Sequence, residues 1–84
     1  MQVVKINKNE LLNAAYILKI FKKALERPSL NGSMHDYVIV LRTEFETFIV
    51  RYNSMGERDT AFSDLTFYLS GNTSGIHYMR GKAK

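Results

Sequence analysis

Asn7-Lys-Asn-Glu10-Leu11-Leu12-Asn13-Ala14-Ala15-Tyr16-Ile17-Leu18-Lys19-Ile20-Phe21-Lys22-Lys23-Ala24-Leu25-Glu26-Arg27-Pro28 is the stretch on which the fold turns. Asn7 and Glu10 have the spacing of a capping-box variant, which marks a helix start. Leu11, Ala14, Ala15, Leu18, Phe21 and Leu25 then recur at helical spacing, and Leu12, Ile17, Ile20 and Ala24 widen the stripe. Lys8, Lys19, Lys22, Lys23 and Glu26 occupy much of the remaining circumference. Lys22, Lys23 and Arg27 stand where a helix dipole favours cations. Pro28 stops the run and pushes Arg27 out of helical geometry. The spacing therefore predicts a helix over 8–26.

Outward from this stretch, residues 2–6 read as a short first strand or an unpaired arm. Residues 28–35 are a loop by composition. Residues 37–42 and 45–52 are rich in β-branched and aromatic residues and close in sequence, which predicts an antiparallel hairpin. Its turn, Arg42-Thr43-Glu44, lacks an Asn-Gly or Asp-Gly signal, so the register is open. Ser54-Met55-Gly56-Glu57 is a standard capping box, with Ala61, Phe62, Leu65, Tyr68 and Leu69 as the buried stripe and Gly71 as the C-cap. Residues 76–80 read as a final strand, and 81–84 as a frayed basic tail.

These elements predict one α+β domain over 1–84, with two helices packed on one face of a small antiparallel sheet in the order (β)αββαβ. That order resembles the split-βαβ, ferredoxin-like arrangement. Without the first strand it becomes αββα(β).

The chain has 84 residues. A chain this short buries only about 60–65% of its unfolded surface, enough for one core and too little for a deep, walled cleft. Ten aromatics, five Tyr and five Phe, argue against disorder. No cysteine is present, which excludes a disulfide, a thiolate nucleophile and a thiolate metal site, and fits a reducing compartment. The start of the chain has no signal-peptide h-region, and the uncharged run 11–18 falls short of the about 20 residues of a membrane span. The expectation is a cytoplasmic protein that does not enter a membrane. The sequons Asn31-Gly32-Ser33 and Asn72-Thr73-Ser74 are chance matches in loops.

Catalytic chemistry finds little support. His35 and His77 have no partner at metal-ligand spacing. Ser33, His35 and Asp36 are neighbours in sequence, whereas triads are assembled from separated segments. The Gly71–Gly75 loop leaves a helix and enters a strand, the wrong polarity for a phosphate cradle. Glu44 and Glu46 read as solvated charges at a hairpin tip. The expectation is a protein that is not an enzyme and carries no metal or cofactor.

Charge and strand parity point to a working surface. The formal net charge is +4, from 12 Lys/Arg and 8 Asp/Glu. Side chains two apart share a face of a strand. Phe48, Val50 and Tyr52 suit the core, which leaves Phe45, Thr47, Ile49 and Arg51 on the other face. A plausible open face combines Lys5, Arg42, Phe45, Ile49, Arg51, Tyr78 and Arg80. Such a face suits a protein partner, a homodimer included. It equally suits a nucleic acid, with Lys5, Lys19, Lys22, Lys23 and Arg42 as phosphate contacts.

Phe48-Ile49-Val50-Arg51-Tyr52 resembles the end of the third-strand motif of RNA-recognition motifs. In that alignment the base-stacking positions fall on Thr47 and Ile49, neither of them aromatic, and the motif's Gly is missing. The reading therefore favours a non-catalytic protein-binding module, a regulator, adaptor or inhibitor, over a nucleic-acid-binding one.

Overall fold

A computed structural model describes residues 1–30, 32–71, 74–79 and 82–83. Among these residues, seven strands and one α-helix follow one another: β1 (Gln2–Asn7), β2 (Glu10–Asn13), a 3-10 turn (Ala14–Tyr16), β3 (Lys19–Ser29), β4 (Gly32–Arg42), β5 (Thr47–Tyr52), α1 (Met55–Ser70), β6 (Gly75–Tyr78) and β7 (Lys82–Ala83). They form two sheets, β2-β1-β6 and β3-β4-β5-β7, rather than one. The class is α+β, but two helices on one antiparallel sheet is incorrect, and so are both element orders, (β)αββαβ and αββα(β).

The error lies in the helix expected over 8–26. That stretch is β2, a 3-10 turn and most of β3. The helical stripe would bury Leu11 and Leu18, yet these are 62% and 69% exposed. Period two describes the second half better. Ile20 packs against the core, while Lys19, Phe21, Lys23, Leu25 and Arg27 alternate with it. The physical cause lies in β4, whose Val38, Ile39, Val40 and Leu41 are all buried. A run apolar on both parities is a central strand and needs a neighbour on each side. β5 supplies one neighbour, and only 19–29 is placed to supply the other.

The Asn7–Glu10 signal was a turn, not a cap. Asn7 Oδ1 accepts from Asn9 N–H at 2.8 Å and Asn7 Nδ2 donates to Glu10 Oε1 at 2.7 Å, which closes the β1–β2 hairpin. Such Asx turns compete locally with helix formation.

The loop expected at 28–35 is also corrected. Arg27↔Met34, Pro28↔Ser33 and Ser29↔Gly32 are ladder pairs, so the hairpin continues to its tip. Gly32 has φ +114°, open to glycine and strained for other residues.

At the C-terminal end the last expected strand is Gly75–Tyr78 rather than 76–80, and Lys82–Ala83 pair with β5 instead of fraying. The remaining expectations fare better. Residues 2–7 are a strand. Tyr37↔Tyr52 through Arg42↔Thr47 fixes the second hairpin. Its turn is held by Thr43, whose Oγ1 accepts from Phe45 and Glu46 N–H at 3.3 and 3.0 Å. Ser54 caps α1, its Oγ accepting from Glu57 N–H at 3.1 Å. Leu65 is buried, with Ala61, Phe62, Tyr68 and Leu69 packed against the same core. That core joins the sheets: Val4, Ile6 and Leu12 come from one, Ile39, Leu41, Val50 and Tyr52 from the other. Tyr68 ties α1 to both strands of the β1–β6 pair. Its hydroxyl accepts from Val3 N–H at 2.9 Å and donates to the Gly75 carbonyl.

Candidate functional site

Cross-strand pairing builds the site in rows. On the four-stranded sheet, the face turned away from the core carries Lys19–Arg42–Thr47, then Phe21–Val40–Ile49, then Lys23–Val38–Arg51. Leu25–Asp36 and Arg27–Met34 continue it along the β3–β4 arm. An apolar row thus lies between two cationic rows.

The apolar row is not bare. Val38 and Val40 are 0% and 5% exposed. Lys19 Nζ sits 5.2 Å from the Phe21 ring centroid and the Arg42 guanidinium 5.7 Å from it. Long cationic side chains lay their aliphatic stems over the valines and the ring and keep their heads in water. The open hydrophobic area expected from strand parity is therefore mostly covered.

What the face displays is charge. Among the described residues, five cations (Lys19, Lys23, Arg27, Arg42, Arg51) and one carboxylate (Asp36) stand here, and β7 pairs Lys82 with Arg51 beside them. Cations thus outnumber carboxylates on this face by five to one among the residues of β3, β4 and β5. Asp36 lies between Arg27 and Arg51, at 3.5 Å from each. Lys19, Lys23 and Arg42 make no ion pair among the described residues.

The sequence-derived set separates into distinct places. Thr47, Ile49, Arg51 and Arg42 share this face, joined by Lys19 and Lys23 from β3. Phe45 stands at the hairpin turn, 88% exposed. Lys22 is on the opposite face of β3, 3.5 Å from Asp59 on α1 and over the Phe62 ring. Lys5 and Tyr78 belong to the other sheet, where they are cross-strand partners and Lys5 Nζ lies 5.4 Å from the Tyr78 ring centroid. Arg80 lies outside the described residues.

Sequence reasoning missed Phe21, Val38, Val40, Arg27 and Asp36 as members of the face. The signal was present as Lys19-x-Phe21-x-Lys23-x-Leu25-x-Arg27, an alternation obscured by the helical period.

Two other groups have perturbed ionisation. The Arg58 guanidinium bonded to Asp59, with Lys22 beside it, holds that carboxyl below the usual carboxylate range. Burial pushes the Tyr52 phenol up to about 12. No three His, Asp or Glu side chains gather as a metal site among the described residues, and no described helix is long and apolar enough to cross a membrane. Compared with family models, curated proteins and solved structures, the chain matches none of them.

Proposed function

We propose that this protein is a non-catalytic binding module, a regulator, adaptor or inhibitor, whose outer sheet face docks an acidic surface of another protein. The observation that carries the reading is the gathering of Lys19, Lys23, Arg27, Arg42 and Arg51 on one sheet face against the single carboxylate of Asp36. Such a field steers an anionic partner and sets its orientation. The half-buried Phe21 and Ile49 supply apolar contact between the cationic rows, and β-sheet pairing holds those rows rigid. Two copies of this face repel each other, so a homodimer built face to face is disfavoured. Asp36, held between two arginines, serves as a spacer for charge rather than an acid–base group.

Nucleic acid is the second reading, favoured by the same cationic rows. It is the weaker one because Phe21 is the only aromatic ring in those rows, and Lys19 and Arg42 lie over it.

Affinity capture from native lysate, with and without nuclease, tests both readings. The comparison is a variant carrying Lys19→Glu, Lys23→Glu and Arg42→Glu, all exposed positions. The expected result is capture of a protein that survives nuclease, weakens about tenfold or more in the variant, and falls as salt rises from about 0.05 to 0.5 M. Equal capture by the variant overturns the proposal. Capture abolished by nuclease transfers the face to nucleic acid.

A further inference from the structure

The edge of the other sheet carries a second, separate site. β6 is the last strand in the order β2-β1-β6. It runs parallel to β1, with Gly75 N–H donating to the Met1 carbonyl at 3.3 Å and Met79 N–H to the Lys5 carbonyl at 3.0 Å. Residues 75 and 79 therefore turn their N–H groups to β1. The intervening even positions, Ile76 and Tyr78, turn their backbone groups to the free side of the strand. An edge of this kind is a template for another strand.

Edges are normally guarded, and β3 shows how. Pro28 removes a donor, and Lys19, Lys22 and Lys23 add charge along the same strand. β6, with the sequence Gly-Ile-His-Tyr, carries no lysine and no proline.

A groove runs beside this edge. Its first part, about 400 Å³, lies between β6 and α1 and is lined by Ala61, Asp64 and residues 76–79. Its second part, about 550 Å³, shares Ala61 and Asp64 and continues past Thr60, Glu57 and Gly56 to Tyr52. Two features of this groove favour a ligand. Tyr52 Oη is buried and has no hydrogen-bond partner among the described residues; leaving a buried hydroxyl unpaired is costly. Glu57 and Asp64 line the groove and form no ion pair among the described residues.

We infer that the β6–α1 groove binds an extended peptide segment of a partner protein by strand addition to β6, with a basic side chain of that segment facing Asp64 and Glu57. The main-chain bonds are made at Ile76 and Tyr78, and the groove reads alternate side chains. The inference does not depend on the basic sheet face, which lies on the other sheet.

The test is a titration of the full ¹⁵N-labelled chain followed by NMR. The probes are acetyl-Val-Lys-Val-Lys-Val-amide, its glutamate counterpart, and the lysine peptide N-methylated at alternate amides. The lysine peptide is expected to shift the amides of Ile76, Tyr78, Ala61 and Asp64 and to bind about tenfold or more tightly than the glutamate peptide. N-methylation is expected to abolish the shifts by removing donors while keeping every side chain. Asp64→Lys, an exposed substitution, is expected to reverse the preference between lysine and glutamate peptides. The inference is overturned if the lysine peptide leaves these amides unmoved, or if the N-methylated peptide binds equally. Movement of the β6 amides on dilution without peptide also overturns it, because the occupant is then a second copy.

Discussion

Tyr52 and Arg58 show how single side chains set conditions on this fold. Tyr52 is 9% exposed, and burial raises its phenol to about 12 from an ordinary value of 10.0. The raised value means that the folded chain holds the proton more tightly than the unfolded chain. Its contribution is complete below pH 10 and is lost as pH rises toward 12. The loss is about 1.4 kcal/mol for each pH unit in that window. Denaturant midpoints at pH 9 and pH 11 should therefore fall further for the natural chain than for Tyr52→Phe. Asp59 has the opposite sign. Its carboxyl is held low, so its contribution is present above the ordinary carboxylate range and is lost as pH falls through the lowered value. Arg58 is buried, donates to Asp59 at 3.0 and 2.9 Å, and lies over the Tyr37 ring. Arg58→Ala should cost about 2 kcal/mol in chemical denaturation. Arg58→Lys should recover less than half of that loss, because an ammonium lacks the planar fork.

Between the two possible forms of 8–26, element-scale mutations decide directly. A helix places Leu18 in the buried stripe; the strand leaves it exposed and packs Ile20 against the core. Leu18→Asp should change stability by no more than about 0.5 kcal/mol, and Ile20→Asp should cost about 2 kcal/mol or more. Equal losses would restore the helix. The element is hard to read because its sequence satisfies two periods. Leu11, Ala14, Ala15 and Leu18 fit 3.6, whereas 19–27 alternate. Helix propensity is a weak prior, and the need of β4 for a second neighbour outweighs it. One signal was legible without coordinates: the both-parity run 37–41. α1 was read from Ser54 to its buried stripe because capping box and periodicity agree there. For the candidate face, the alternation in β5 separated Thr47, Ile49 and Arg51 from the core residues. The β3 half was lost with the helix.

At the scale of the whole molecule, two sheets sharing one core leave two unlike surfaces. In the proposed reading the basic face meets its partner through a field, so salt and charge reversal should move it. The β6 edge meets its partner through backbone bonds, so N-methylation should move it. A variant with Lys19, Lys23 and Arg42 reversed should therefore keep the peptide-induced shifts at Ile76 and Tyr78, as measured in the same NMR titration. What the sequence by itself determined is local: the β4–β5 hairpin, α1 with its cap, the inward parity of Phe48, Val50 and Tyr52, and the net charge. These depend on neighbours within a few residues or on composition. Tertiary structure alone decided that these cations gather on one face, that Lys5 and Tyr78 leave that face for another sheet, and that β6 ends a sheet beside α1. Each of these depends on which strands pair across long stretches of chain. Pairing is chosen by burial in the shared core, and no local pattern encodes it.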